Sequence, residues 1–265
     1  MTKHDDEHAE LDRMHHDIVA PKYDELIVDP RQTLNDVIFK RVAKRLPARG
    51  RSMLDLGAGT GHMAIRFGRG YDRVMLVDHS RGMLEQARRN TAGVKSDLRF
   101  EVTDALGFVG KCDDRFDLIT CVGFLHHLRA DQLQFVFSNL MRLLEPDGRI
   151  LLAEPVATPR TEPKAIQWWN RTSLPKFEQY VQLAPMPDEA PLNLQLLKDV
   201  YAEFGFATAY ERRGWEVFSH FGGSSIDKLV IPVLDFLFGA EGVVWVGLLE
   251  KTVKPSGGPQ SFLQT

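Results

Sequence analysis

The stretch LDLGAGTGHM, residues 54–63, places a glycine loop directly after a short apolar strand. Residues 53–56 predict that strand, and an apolar helical pattern starts at Met63. Glycine is needed where the backbone takes unusual dihedral angles or where a ligand comes against its amides. The third glycine is Gly61, and the next position is His62, so the spacing is G-x-G-x-G and not the G-x-G-x-x-G of dinucleotide-binding loops. This departure argues against an NAD-dependent oxidoreductase.

The chain after the loop alternates predicted strands and helices. Further strands are predicted at residues 74–78, 98–102, 116–122 and 149–154. This alternation is typical of an α/β fold with a parallel sheet covered on both faces, whose ligands lie beyond the carboxyl ends of the strands. Four candidate contact groups fall at consecutive strand ends, namely the glycine loop, Asp78, Asp104 with Ala105, and the segment from Cys121 to His127.

This arrangement, over roughly residues 50–155, resembles the class I S-adenosyl-L-methionine (SAM)-dependent methyltransferases. The LHHL segment at 125–128 and the EPDG segment at 145–148 resemble the small-molecule branch of that family. The resemblance implies a seven-stranded, mostly parallel Rossmann-like sheet that ends in an antiparallel hairpin, formed here by residues 207–215 and 243–250. It implies SAM as the cofactor and a small organic acceptor methylated on oxygen or nitrogen.

The resemblance also suggests how the chain is divided. A helical pattern with predicted breaks at Pro21 and Pro30 precedes the core, and a proline- and aromatic-rich stretch follows it. We expect an additional helix at 224–238. The expected divisions are an N-terminal helical lid at 1–46, a SAM-binding core at 47–155, a substrate cap at 156–192, the C-terminal part of the sheet domain at 193–254 and a flexible tail at 255–265.

The cofactor residues follow from the strand ends and from the family pattern. Asp78 can accept hydrogen bonds from both ribose hydroxyls of a nucleoside. Asp55 either lies close to the cofactor or only binds the amides of its own turn, and both are compatible. Tyr23 either covers the cofactor or packs between helices. The expected cofactor contacts are Tyr23, Asp55, Gly57, Ala58, Gly59, Gly61, Asp78, His79, Met83, Asp104, Ala105 and Cys121.

The candidate catalytic residues are His126, His127 and Glu154, which follow strands at the ligand edge. An imidazole suits proton removal near neutral pH, but either histidine can instead orient the cofactor or cap a helix. Glu154 can hold the acceptor or pair with a pocket arginine such as Arg171. Alignment alone contributes roughly 7–11 kcal/mol to a displacement, so a base is not indispensable.

The acceptor side of the pocket is expected to include Trp168, Trp169 and Arg171 from the cap and His16 from the lid. The tryptophans can equally pin the cap to the sheet. A metal-ligand set on one helix face is conceivable, but the acids that bind the ion in metal-dependent O-methyltransferases are not evident, and no metal is expected. The helix-face residues in question are His8, Asp12, His15 and His16.

The amino-acid composition limits which partners and cellular locations we expect for the protein. The 265 residues carry a net charge of −3 and 43% hydrophobic residues, which argues against a nucleic-acid partner. The two cysteines form no metal or disulfide pattern, and the polar start and lack of a long apolar run predict a cytoplasmic protein without a membrane segment. The sequence does not indicate an oligomeric state. The alternatives are a protein or RNA methyltransferase, whose Asn-Pro-Pro-Tyr type signature is missing, and a non-catalytic SAM-fold binding module.

Overall fold

The computed structural model describes residues 3–29, 39–47, 49–157, 177–184, 190–214 and 244–252. Several sequence-based predictions therefore lie outside the described residues. These are the acceptor roles of Trp168, Trp169 and Arg171, the break at Pro30, the helix at 224–238 and the tail at 255–265. The domain divisions stay predictions.

The described chain alternates strands and helices, as the sequence predicts. The helices are α1 Lys3–Tyr23, α2 His62–Phe67, α3 Arg81–Asn90, α4 Ala105–Lys111, α5 Ala130–Leu143, α6 Phe177–Leu183 and α7 Leu194–Glu203. The strands are β1 Gly50–Leu56, β2 Tyr71–Asp78, β3 Asp97–Val102, β4 Phe116–Val122, β5 Leu144–Ala157, β6 Leu192–Asn193, β7 Phe206–Gly214 and β8 Val244–Lys251. Residues 39–43 are also helical. None of the described helices is both long enough and apolar enough to cross a membrane.

The main sheet has the strand order β3-β2-β1-β4-β5-β8-β7. Strands β1 to β5 run parallel, whereas β8 is antiparallel to both β5 and β7. The predicted α/β fold and its terminal antiparallel hairpin are thus confirmed. The two-residue strand β6 pairs with the end of β5, Val156 opposite Leu192. The end of β5 and residues 192–193 are therefore neighbours in the fold.

The register of the central strands brings their carboxyl ends to one edge. Leu56, the last residue of β1, lies opposite Val77 of β2 on one side and Cys121 of β4 on the other. Alternation along β1 sends Leu54 and Leu56 into the core under α5, and Met53 into the core under α2 and α3. Both faces of the sheet are therefore covered, and its open edge is left for a ligand.

The prediction that Pro21 breaks the N-terminal helix is wrong, since α1 continues to Tyr23 and a π-helical turn follows at Asp24–Val28. Proline removes the amide that would bond the carbonyl of Asp17. Contacts with α3 hold the helix in spite of this loss. The Asp17 carboxylate accepts hydrogen bonds from the Ser80 hydroxyl at 2.6 Å and the Gly82 amide at 2.9 Å.

Strand β5 begins earlier than predicted. Residues 145–148, which precede the predicted strand at 149–154, lie within it. The pairing with β4 shifts register between Phe116 and Leu118, which stand opposite Leu144 and Arg149. This irregularity accommodates the extra residues on β5 while both strands continue.

Candidate active site

The glycine loop is fixed to β2 by its own backbone. The amides of Gly57 and Ala58 both donate to the carbonyl of Val77 at 2.9 Å. Gly57 has a φ of +71°, and a Cβ there would lie 2.7 Å from the Phe124 side chain. Gly59 has a φ of +51° and open space where a Cβ would stand. The loop thus offers exposed main chain to a ligand at Gly59.

Asp78 ends β2 beside this opening. One of its carboxylate oxygens accepts from the Gly59 amide at 2.8 Å, and the other accepts from the Ser80 amide at 2.9 Å. Each carboxylate oxygen has a second lone pair, so both remain able to accept from vicinal hydroxyls. The geometry fits the predicted ribose-binding role.

Asp55 lies under the loop and is almost completely buried. Its Oδ1 accepts from the Thr120 hydroxyl on β4 at 2.7 Å. Burial raises the pKa of Asp55 to about 7, although the Thr120 hydrogen bond acts in the opposite direction. Thr120, on the neighbouring strand, is therefore a hydrogen-bond partner of Asp55 that the sequence did not predict.

Asp24, in the turn after α1, connects the N-terminal segment to the glycine loop. One of its oxygens accepts from the Thr60 hydroxyl at 2.5 Å and lies 3.0 Å from Nε2 of His62, and the other accepts from Asn90 at 2.6 Å. This explains the histidine that stands where dinucleotide-binding loops have glycine. Nothing in the local sequence pattern singles out Asp24.

Glu154 organises the loop after β4. Its Oε1 accepts from the amides of Phe124 at 3.0 Å and Leu125 at 2.9 Å, and its Oε2 lies 2.8 Å from Nδ1 of His126. Its side chain is fully buried, although Glu154 also belongs to the cavity wall. These contacts indicate that Glu154 positions the loop after β4, and they favour this role over the predicted direct contact with the acceptor.

A cavity of about 240 Å³ lies at the carboxyl edge of the sheet, between the glycine loop and α1. Most of the predicted site residues among those described line it: His16, Tyr23, Asp55, Gly57, Ala58, Gly59, Asp78, His79, Met83, Ala105, His127 and Glu154. The N-terminal part of the chain also contributes residues that the sequence did not single out, among them Ile27, Val28 and Phe39.

Four predicted site residues do not line this cavity, which corrects their expected contacts. Gly61 faces Ala87 and Thr91 of the neighbouring helix, in a left-handed conformation at the start of α2. The Asp104 side chain caps α4 by accepting from the Gly107 amide. Cys121 is buried in the core. The fourth, His126, is held on Glu154, so of the two adjacent histidines only His127 reaches the cavity.

The N-terminal residues that the sequence groups on one helix face separate in the structure. His8 is exposed, and Nε2 of His15 lies 2.8 Å from the Tyr180 hydroxyl. Asp12 and His16 instead face the cavity, with Nδ1 of His16 3.2 Å from Oδ1 of Asp12 and 2.9 Å from its backbone carbonyl oxygen.

Two further histidines approach Asp12 from the sheet. Nε2 of His79 lies 3.5 Å from Oδ2, and Nδ1 of His127 lies 3.5 Å from Oδ1. Burial alone would lower the pKa of His16, but the hydrogen bond and charge of Asp12 raise it to about 9. Burial and the adjacent His126 hold the pKa of His127 well below its usual range. Sequence inspection missed this cluster because its members come from three separate segments.

Comparison with known proteins agrees with the geometry. Residues 53–148 match a family described as a methyltransferase domain. Demethylmenaquinone methyltransferase from Streptomyces avermitilis is 31% identical over 160 residues, which cover 55% of this chain and 63% of that protein. Residues 53–148 thus form a methyltransferase domain, and this expectation is confirmed.

Other relatives extend the similarity to this methyltransferase domain. Ubiquinone biosynthesis O-methyltransferase from Coxiella burnetii is 24% identical over 124 residues, covering 47% of this chain and 52% of that protein. The structure of the N-methyltransferase NodS from Bradyrhizobium japonicum, solved with S-adenosyl-L-homocysteine (SAH), has a TM-score of 0.56 at 13% identity. That alignment covers 86% of this chain and 90% of NodS and shows a shared fold. The chain spans between half and two thirds of the length of these two curated relatives.

The residues of the methyltransferase domain fit SAM. Gly59 leaves room where any other side chain would stand, and its positive φ turns its backbone into the opening. Asp78 has lone pairs left for the ribose hydroxyls. Ala105, at the start of α4, lies on the same wall and is small enough to leave space for an adenine. No large side chain therefore has to move from these three positions for an adenosine to enter.

Proposed function

We propose that the protein transfers the methyl group of SAM to an oxygen or nitrogen atom of a small organic acceptor. The observation that carries this proposal is the continuity of the cavity. It runs from Asp78 and the glycine loop to a wall formed by His16 and Tyr23 of the N-terminal segment. A cofactor held at the first end leaves its other end facing a chemically different wall, which suits an acceptor.

The relatives support a small acceptor in two ways. The names of two of them refer to demethylmenaquinone and to ubiquinone biosynthesis, both concerned with small molecules. The net charge of −3 also gives no general attraction for nucleic acid. The cytoplasm remains a prediction from the sequence.

The protein's own contribution is chiefly alignment. SAM supplies a methyl group already activated by a sulfonium, and in-line positioning lowers the barrier by roughly 7–11 kcal/mol. Asp78 and the loop around Gly59 are proposed to orient the cofactor, while Tyr23 excludes water from the N-terminal side. When the acceptor atom carries a proton, His127 is the residue proposed to take it, because it lines the cavity and His126 does not.

The first test measures cofactor binding and turnover of the full chain. We expect SAM and SAH to give saturable heats in titration calorimetry, with NAD giving none. Transfer of a labelled methyl group should then appear on at least one member of a panel of small phenols and amines. Binding of NAD without binding of SAM would contradict the proposal. Saturable SAM binding with methylation only of protein or RNA substrates would favour the other class of acceptor.

A substitution at Asp78 tests the ribose assignment. We expect Asp78→Ala to weaken SAH binding by about 1.5–3 kcal/mol, or about tenfold to 150-fold, the range for a lost hydrogen bond to a charged group. Asp72→Ala is the matched control, because Asp72 is an exposed carboxylate on the same strand. Circular dichroism establishes that both variants are folded. Equal SAH affinity in the two variants would remove Asp78 from the ribose site.

A further inference from the structure

Four potential metal ligands meet at the cavity wall, from three parts of the chain. Asp12 and His16 are one turn apart on α1, His79 follows β2 and His127 follows β4. Ligand atoms of Asp12, His16 and His79 all lie within 4.8 Å of one another. The parallel sheet explains the convergence, because β2 and β4 end at the same edge and α1 crosses above it.

The spacing suits a tetrahedral ion. Zinc binds imidazole nitrogen and carboxylate oxygen at about 2.0–2.2 Å, which separates adjacent ligand atoms by about 3.3 Å. The corresponding separations are 3.2 Å from Oδ1 of Asp12 to Nδ1 of His16 and 3.5 Å from its other oxygen, Oδ2, to Nε2 of His79.

The central carboxylate is buried among imidazole rings. Asp12 is only 5% exposed, and ring nitrogens of His16, His79 and His127 lie 3.2–3.5 Å from its two oxygens. A buried charge needs a close partner or a metal ion. A carboxylate that faces imidazole nitrogens from three segments of the chain is placed as a metal ligand would be.

We propose that Asp12, His16 and His79 form a site for a divalent transition-metal ion of the Zn²⁺ type. Imidazole ligands favour such ions, whereas Mg²⁺ prefers oxygen ligands. Three protein ligands leave one position of a tetrahedral ion open, as in catalytic zinc sites. That position faces the cavity beside His127, where a hydroxyl or thiol group of an acceptor can complete the coordination. The site itself is independent of the methyl-transfer proposal.

The test uses the full chain, stripped with a chelator and titrated with Co²⁺ in the absence of SAM and acceptor. We expect one Co²⁺ per chain, with the intense visible absorption of tetrahedral coordination. Zn²⁺ should displace the Co²⁺, and a large excess of Mg²⁺ should not. A chain without stoichiometric binding, or with only the weak absorption of octahedral Co²⁺, would overturn the proposal. Because the measurement needs no turnover, it tests the metal site even if no methyl transfer is found.

Variants locate the ion. We expect His79→Ala to lower Co²⁺ affinity by at least about tenfold, since even residues behind a metal's ligands commonly contribute that much. His8→Ala is the matched control, because His8 is an exposed histidine on the same helix as two of the ligands. Asp12→Asn keeps the shape of the site and should lose affinity as His79→Ala does, which decides the matter if His79→Ala does not fold. Equal affinity in Asp12→Asn and His8→Ala would refute the assignment.

Discussion

When the pH rises from about 5 to about 8, the free energy of unfolding is expected to fall by about 3 kcal/mol less in the Asp55→Asn variant than in the unsubstituted protein. The reason is that the acid is buried beneath the glycine loop, with its pKa raised to about 7. In the unfolded chain the same group ionises near its ordinary value of about 4. Asparagine imitates the protonated acid and can still accept from Thr120.

The sign follows from proton binding. Between the unfolded and folded pKa values, the folded protein holds a proton on Asp55 that the unfolded chain has already released. Stability therefore falls as pH rises through this window, by about 1.4 kcal/mol per unit, and the loss is complete above about pH 7. The variant has no such proton, so its stability curve lacks this contribution. Asp78 and His62, the titratable neighbours of Asp55, are unchanged in it.

The measurement is denaturant unfolding of the cofactor-free protein at the two pH values. Asp72→Asn, which removes an exposed carboxylate from the same sheet, serves as the control and should follow the unsubstituted protein. Subtraction of the paired curves cancels the other titrating groups. Parallel curves for Asp55→Asn and the unsubstituted protein would show that Asp55 is ionised in the fold.

The features that the sequence predicts well are those written in local patterns. Short apolar stretches, alternating with helical patterns, predict β1 to β4. The loop at 57–61 and Asp78 are predicted as contacts for the same reason, since the loop follows a strand and Asp78 ends one. The terminal hairpin, β7 and β8, was expected through resemblance to the family, and the structure places it within one residue of the predicted bounds.

The contacts that the sequence does not reveal join segments far apart in the chain. Asp24 meets His62 across 38 residues, and Glu154 meets the Phe124 amide across 30. Asp12 meets His79 and His127 only because α1 crosses the sheet edge. A carboxylate in a helical pattern is ordinarily solvated, so nothing in the local sequence indicates these long-range contacts of Asp12.

Pro21 shows the opposite case, in which tertiary contacts override the strong helix-breaking tendency of a proline. Its breaker character is real, because the helix loses one hydrogen bond there and opens into a π-helical turn a few residues later. The hydrogen bonds that Asp17 accepts from Ser80 and Gly82, at the start of α3, nevertheless hold α1 in place. Tertiary contacts thus determine how far α1 extends, and they place Tyr23 and His16 over the cavity.

Glu154→Ala is expected to destabilise the protein by about 3–5 kcal/mol, because each buried donor left without its acceptor costs about 1–3 kcal/mol. Three donors, the amides of Phe124 and Leu125 and the ring of His126, lose their acceptor at once. The methyl group of alanine also leaves a void in a fully buried position. The loop after β4, which carries His127 into the cavity, then loses these bonds to β5 and keeps the one from the Gly123 amide to the Ala153 carbonyl.

Glu154→Gln separates the hydrogen bonds from the charge. Its amide oxygen can still accept from the two backbone amides, so its loss of stability should be clearly smaller than that of Glu154→Ala. Glu250→Ala, which removes a half-exposed partner of Arg149 on β8, should change stability by less than about 1 kcal/mol. Hydrogen exchange at the Phe124 and Leu125 amides gives the local readout and should accelerate in Glu154→Ala. Unchanged exchange there would mean that these amides find other acceptors and that Glu154 is free to act on the acceptor after all.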